Sequence, residues 1–487
     1  MAECGRLFIG IDAGTGGVRA LAVTETGAVV ARSAAALEPG AVTREGNTHE
    51  QSPRAWWNAV CQATAALMSE LKSEGVLPES LSTLAVDGTS GTLAALDGSG
   101  EPVRPAVMYN DARASAEADE LNALAGDFCR KLGYRFKASF TLAKIVWLQK
   151  HEPEHFERAT YLIHQADYIL GRLSGRFGIS DYSNALKTGY DLIEERWPDW
   201  IGHLPGVSDR LPRVVPPGTA VGEVCPAAAK QTGLPAGLTV VTGASDGTAG
   251  FLASGATRPG DYNTTLGTTL VFKGVSRQLC KHPDGLIYCH KLPGGYWLPG
   301  AASNTGCEWI GSLFPEDNVA SMDEAARGEL PVGSVAYPLA RMGERFPFSR
   351  AGAQGFCVPE PADRVTRYAA HLQGVALLER LAYQVLDEVA GTSAGSVFST
   401  GGGSGSDVWM QCRADATGRT FHRPACPESA FGSAILAAAG AGHVGVWEAL
   451  NRMVHAERTF VPNCDHAERY HELFGSFRAE LVKRGYL

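Results

Sequence analysis

Short apolar runs, glycine-rich turns and amphipathic stretches alternate along this chain, a rhythm that predicts strands feeding helices. Residues 7–11 are apolar and break at Asp12-Ala-Gly-Thr-Gly-Gly17; residues 18–23 are apolar again apart from Arg19. That pattern reads as strand, glycine turn, strand. Ser52-Pro53 then supplies a capping serine and a first-turn proline. Trp57, Val60, Cys61, Leu67, Met68 and Leu71 share one face of the helix that follows, with Thr64 its polar member, and Gly75 stops it. Residues 81–86 form the next buried strand, ending in Asp87-Gly-Thr-Ser-Gly91. Strands and helices alternating in this way predict an α/β architecture.

The opening pattern echoes half a chain later. Residues 239–242 read as a strand, and Gly243-Ala-Ser-Asp246-Gly247 as a turn into an apolar helix. Residues 262–272 are again strand, turn, strand, around Gly267-Thr268-Thr269. Residues 396–400 end in Gly401-Gly402-Gly403 and feed a helix containing Trp409 and Met410. Two similar hairpins predict two related domains. Residues 205–222, rich in Pro and Gly, read as the linker between them. Residues 431–446, rich in Ala and Gly, read as a tightly packed helix rather than a membrane span.

Composition narrows the class. A chain of 487 residues exceeds one compact core, in keeping with two domains. The net charge of −9, without a basic block, argues against nucleic acid as a partner. Eleven scattered cysteines never form a Cys-x-x-Cys pair, so reduced thiols in a cytoplasmic protein are expected rather than a disulfide framework or zinc cage. No long apolar stretch precedes Asp12, so neither a secretory signal nor membrane attachment is expected.

The candidate chemistry lies in the turns. Phosphate recognition needs converging N–H donors and backbone unobstructed by β-carbons. Gly14, Gly16 and Gly17 offer this, with the Thr15 hydroxyl beside them. No Gly-x-x-x-x-Gly-Lys-Ser/Thr is present, which disfavours a P-loop ATPase. The lack of a complete Gly-x-Gly-x-x-Gly opening a helix disfavours a nicotinamide dehydrogenase. Three glycine turns each follow an apolar strand, and two have an aspartate at a strand end. Phosphoryl transfer uses one carboxylate near Mg²⁺ and another to accept the proton of the attacking hydroxyl. Asp12 suits the metal and Asp246 the base, although a turn residue and a helix cap would also explain them.

Together these residues resemble the FGGY family of carbohydrate kinases, within the actin-like ATPase superfamily. Ile9-Gly-Ile-Asp-Ala-Gly-Thr-Gly-Gly-Val-Arg19 is similar to the first phosphate motif, and residues 262–271 to the second. Residues 400–411 resemble the adenosine motif, and Glu428-Ser-Ala-Phe-Gly-Ser-Ala434 the glycine-alanine helix start near the nucleotide. The resemblance implies a two-domain actin-like ATPase (ribonuclease H-like) α/β fold with a nucleotide cleft between the domains. Residues 1–250 would form the N-terminal, sugar-binding domain with the first phosphate loop. Residues 251–487 would form the nucleotide-binding domain, the last helix packing back on the first.

It further implies Mg-ATP and a small-molecule sugar as partners, and allows a homodimer. Asp246 would be the catalytic base, with Asp12 and Asp246 the metal-associated carboxylates. Asp12, Gly14, Thr15, Gly16, Gly267, Thr268 and Thr269 would lie along the phosphates, and Gly402, Gly403 and Ser406 beside adenosine. Two positions depart from the family: Gly16 stands where Ser is frequent, and Ser406 where Asn is frequent.

For the sugar, Asp87-Gly-Thr-Ser-Gly-Thr92 and Tyr109-Asn-Asp-Ala-Arg113 supply the short polar groups that polyols need. The first of these, with Ser180-Asp-Tyr-Ser-Asn-Ala-Leu-Lys187, Gly294-Gly-Tyr-Trp-Leu298, Ala302-Ser-Asn304 and Gly343-Glu-Arg-Phe-Pro347, resembles the D-ribulose kinase branch, often labelled xylulose kinase-like. That implies D-ribulose as substrate, phosphorylated on its terminal hydroxyl, with D-xylulose second. Ser90, Asn110, Asp111 and Asp246 would contact it, with Gln165 and Asp167 either behind them or structural. The rival from another class is an actin-like ATPase machine that uses the same loops without a sugar.

Overall fold

The computed structural model describes residues 5–392, 395–442 and 444–487. They divide into two compact units. The first runs through Ala253 and adds His290–Gly295 and Glu428–Val454; the second comprises Ser254–Cys289, Tyr296–Pro427 and His455–Leu487.

The first unit is built on a six-stranded sheet. Its strands are β1 (Leu7–Ala13), β2 (Gly17–Thr24), β3 (Val29–Ala36), β4 (Leu81–Gly88), β5 (Ala220–Glu223) and β6 (Thr239–Ser245), in the spatial order β5-β6-β4-β1-β2-β3. β1, β2 and β3 form an antiparallel meander, whereas β4 and β6 run parallel to β1. Every residue of β1 is buried, which is why its sequence is continuously apolar up to Asp12 rather than alternating. Helix α1 (Pro53–Ser73) packs on β2 and β3 through Trp56, Trp57, Val60, Leu67 and Leu71. Ser52 occupies its cap position without a side-chain cap bond, and Gly75, at φ +74°, ends it. Two further helices frame the sheet: α2 (Asp246–Ser254), which continues directly from β6, and α3 (Ser429–Gly440), which packs on β1 and β4.

Two expectations need correction. Residues 205–222 are not an interdomain linker: they lie inside the first unit. Arg213–Val215 there pairs with Ile179–Asp181, and β5 forms the sheet edge. The Pro and Gly residues shape loops within that unit. Residues 431–446 are not one helix either, because α3 ends at Gly440 and Gly442 adopts φ +82°.

The second unit repeats the same strand plan. β7 (Tyr262–Leu266), β8 (Leu270–Gly274) and β9 (Trp297–Ser303) form a meander. β10 (Val397–Thr400) then lies parallel to β7, β11 (Phe421–Pro424) parallel to β10, and β12 (Ala456–Phe460) antiparallel at the edge. The echo between the two hairpins is thus an echo of whole sheets. This core holds a wholly buried ion pair: Arg413 bonds both oxygens of Glu379 and the Ser399 hydroxyl. The final helix, Ala467–Lys483, belongs to this unit. No helix among the described residues is long and apolar enough to cross a membrane.

Close approach of α3 depends on glycine. A β-carbon on Gly10 would sit 1.8 Å from the Ala430 carbonyl oxygen, and one on Gly432 would sit 1.9 Å from that of Ala249. Gly10→Ala is therefore expected to destabilise the protein by about 1–3 kcal/mol or more. Gly16→Ala, whose β-carbon would meet nothing within 4 Å, should stay within about 0.5 kcal/mol of the parent. Thermal unfolding of the two variants beside the parent checks the contrast.

Candidate functional site

Parallel strands deliver their C-terminal ends to the same edge of a sheet, and there β1, β4 and β6 bring three aspartates together. Asp12 and Asp87 are register partners on β1 and β4. Asp246 is the first residue of α2, directly after Ser245, which pairs with Gly88. Asp87 is completely buried, Asp12 is 8 % exposed, and Asp246 is partly exposed.

The charges of this cluster interact. Burial pushes the Asp12 carboxyl above its ordinary range; its hydrogen bond with Asp87 opposes the rise, the Asp246 charge adds to it, and Arg19 opposes it. The Arg19 guanidinium stands 3.5 Å from Asp12. Burial, then the Asp12 charge, push Asp87 well above the carboxylate range, against the pull of the Ser433 hydroxyl that donates to it at 2.7 Å. Two adjacent buried carboxylates cannot both ionise cheaply, and burial favours the protonated form of Asp87. Asp246 takes the Gly247 N–H on Oδ1 at 2.6 Å, and its carbonyl accepts from the Ser429 hydroxyl at 3.2 Å. Asp246 is the first residue of the helix rather than a cap preceding it, and its carboxylate stays partly accessible. Asp87 was singled out in sequence only as part of a polar loop; its signal was a strand-end aspartate matching Asp12.

Beside the cluster lies the first glycine turn. The Gly14 N–H donates to the Gly17 carbonyl at 2.9 Å, and Gln51 donates to the Thr15 carbonyl at 2.9 Å while accepting from the Trp56 indole at 2.8 Å. Gly17 is required by packing, since a β-carbon would meet the Ala35 carbonyl at 2.4 Å. Gly14 and Gly16 are not: β-carbons there would meet no atom closer than 3.6 Å, and Gly16 is exposed. The protein's own packing does not explain these two glycines.

The polar loop after β4 faces the same edge. The Thr89 N–H and hydroxyl donate to Gln165 at 3.0 and 2.6 Å, so Gln165 tethers the loop. The Ser90 hydroxyl is buried with no hydrogen-bond partner among the described residues, while its carbonyl accepts from Lys187 at 3.0 Å. Asn110 is exposed, its side-chain oxygen on the His49 ring. Asp111 is 1 % exposed and accepts from the His49 N–H, the Arg113 N–H and the Arg113 guanidinium at 2.6–3.0 Å. Its oxygens are thereby spent within the protein, anchoring Arg113. Asp167 forms a capping box with the buried His164.

In the second unit, Gly267, Thr268 and Thr269 cap the β7–β8 hairpin, and Gly402 and Gly403 follow β10. β7 and β10 are adjacent parallel strands with Thr265 opposite Thr400, so both loops leave one sheet edge together. Gly401 and Gly403 are held against Leu266, whereas a β-carbon on Gly402 would meet nothing within 4 Å. Ser406 caps the helix Asp407–Thr417, accepting from the Trp409 N–H at 3.1 Å.

Among the described residues no group of three or more His, Cys, Asp or Glu is placed to hold a metal by itself. One or two carboxylates suffice for Mg²⁺ when phosphate oxygens and water complete the shell, and Asp12 with Asp246 fit that limited part.

Comparison with known proteins matches this arrangement. The model of the FGGY family of carbohydrate kinases, N-terminal domain, covers residues 7–253, and that of the C-terminal domain covers residues 262–441. The chain is 32% identical over 447 residues to a xylulose kinase of Streptomyces rubiginosus, spanning 89% of this chain and 88% of that one. It is 29% identical over 429 residues to the xylulose kinase of Escherichia coli (strain K12), spanning 85% of each. The crystal structure of xylulose kinase from Rhodospirillum rubrum superposes with a TM-score of 0.84 at 28% identity, covering 98% of this chain and 99% of that one.

The Asp87 proton gives a pH signature. Ionised in the unfolded chain above about pH 4 but protonated in the fold, Asp87 makes folding take up a proton, so its contribution to stability is lost as pH rises through its folded value. In Mg²⁺-free buffer Asp87→Asn should flatten this fall, with a higher relative melting temperature at pH 8 than at pH 5. Melting curves at both pH values for parent and variant check it; a parallel pH dependence in the two would refute a neutral Asp87.

Proposed function

Since the chain belongs to the FGGY family of carbohydrate kinases and is an ATP:sugar phosphotransferase, we propose that its substrate is a ketopentose, D-ribulose, phosphorylated on the terminal hydroxyl. The observation that carries the catalytic part of this reading is the graded aspartate cluster, in which Asp246 is the member that is partly exposed at a helix start. Asp246 accepts the proton of the attacking hydroxyl, and the Gly247 N–H on its Oδ1 orients the carboxylate. Asp12, with Asp246, is the carboxylate that would hold Mg²⁺. When bound there, the cation supplies neutralisation of the charge shared by the β- and γ-phosphates. The N–H groups of Thr15 and Gly16, and those of Thr268 and Thr269, bind phosphate oxygens, while Gly14 and Gly267, whose own N–H groups close the two turns on Gly17 and Thr269, lie along the same phosphates; Gly402, Gly403 and the Ser406 cap lie by the nucleoside.

On the sugar side, Ser90 and Asn110 offer the hydroxyl and amide that hold the acceptor, with Asp111 orienting Arg113 behind them. The ribulose assignment is supported by the loop Asp87-Gly-Thr-Ser-Gly-Thr92 and the linked stretches similar to the D-ribulose kinase branch. A specific observation favours D-xylulose instead: the relatives named above are xylulose kinases.

A coupled ADP-release assay across D-ribulose, D-xylulose, L-ribulose, glycerol and gluconate tests the substrate. The highest kcat/KM is expected with D-ribulose; a clear preference for D-xylulose replaces it with the second reading, and a preference outside the ketopentoses overturns both. For the mechanism, Asp246→Asn should lower kcat by about two to four powers of ten while leaving the melting temperature close to the parent. Near-parental turnover in that folded variant would remove Asp246 from the base role.

A further inference from the structure

We propose that Lys187 is a substrate-binding residue, its ammonium holding a sugar oxygen beside Asp246 and setting which ketose is accepted. The inference rests on the ketopentose kinase reading above. Lys187 lies in the short turn Leu186–Thr188 and is only partly buried. Its Nζ donates to the Ser90 carbonyl at 3.0 Å, beside the buried Ser90 hydroxyl that has no partner among the described residues. An ammonium has three N–H donors, and the Ser90 carbonyl takes one. A sugar hydroxyl or keto oxygen arriving there would meet a charged donor from Lys187 and a hydroxyl from Ser90 at the same point.

The position of Lys187 relative to Asp246 is mechanically set. Asp181 accepts from the Ser183 N–H and the Asn184 N–H at 2.7 and 3.1 Å, fixing the turn that leads to Lys187. The Ser183 hydroxyl accepts in turn from the Ser245 N–H at 2.9 Å, one residue before Asp246. One short segment thus holds the ammonium and abuts the residue preceding the base. Behind Lys187, the wholly buried Lys144 donates to the Gly91 carbonyl at 2.7 Å. Burial holds Lys187 below the ordinary lysine range, Asp246 drawing it up and Lys137 pushing it further down. A purely structural lysine would need only the carbonyl bond; this one also feels the Asp246 charge and sits on the residue whose hydroxyl has no partner among the described residues.

Lys187→Met and Lys187→Arg are compared with the parent on whichever sugar the parent turns over best. Loss of a charged hydrogen bond should raise the sugar KM of the Met variant roughly 10- to 100-fold, with the ATP KM changed less than about twofold. The kcat/KM ratio between D-ribulose and D-xylulose should also move toward one, because a donor that reads one hydroxyl discriminates strongly. Arg, which keeps the charge, should recover part of the loss. A sugar KM and a ribulose-to-xylulose ratio within about twofold of the parent would overturn the proposal.

If the Met variant does not fold, acylation of Lys187 by acetic anhydride in the parent protein, followed by mass spectrometry, replaces it. Saturating sugar should slow labelling several-fold and a non-hydrolysable ATP analogue alone should not; equal labelling with and without sugar would overturn the proposal. A parent that takes no ketopentose counts against the substrate reading alone, since the Lys187 comparison then proceeds on the sugar it does take.

Discussion

Three carboxyl groups share one edge of a sheet in this protein, and like charges at close range in a low-dielectric setting repel strongly. The first unit accommodates them by grading their exposure. Asp87, without access to water, keeps a proton and takes the Ser433 hydroxyl. Asp12, nearly buried, has Arg19 at 3.5 Å. Asp246 reaches the outside and draws on the first N–H of its own helix. The three carboxyls thus differ in environment along one edge, from wholly buried to partly exposed.

That edge exists because a distant segment returns to it. α3 approaches β1 where Gly10 leaves room and α2 where Gly432 does, and it places Ser433 on Asp87 and Ser429 on the Asp246 carbonyl. The Thr83 hydroxyl adds a 2.6 Å bond to the Ala437 carbonyl from the neighbouring strand. Glycines within the same short motif consequently answer to different pressures. Gly10 and Gly17 are demanded by packing, while Gly14 and Gly16 are left over by it.

The second unit carries the same sheet plan with different polar content. Its two glycine loops leave neighbouring parallel strands, and its core is organised around the buried Arg413–Glu379 pair rather than around aspartates at strand ends. A buried pair of this kind is costly to break from one side only, because the partner would be stranded without water. The duplicated plan thus supports a carboxylate site in one unit and glycine loops in the other.

Local pattern was enough to locate β1, β2, β4, β6, the β7–β8 hairpin and α1, because buried parallel strands are continuously apolar and glycine turns interrupt them sharply. The motif residues Asp12, Gly14, Asp246 and Gly267 could be picked out for the same reason. Residues 205–222 misled because Pro and Gly mark loops without saying whether a loop joins domains or crosses one. Asp111 looked free because sequence does not show Arg113 and the His49 backbone consuming its oxygens. The meeting of Asp87 with Asp12, the return of α3 and the seat of Lys187 on the Ser90 carbonyl were decided by tertiary structure alone. Each joins residues far apart in the chain, and periodicity carries information only about neighbours along it; contacts across strands depend on register and packing, which only the folded sheet defines.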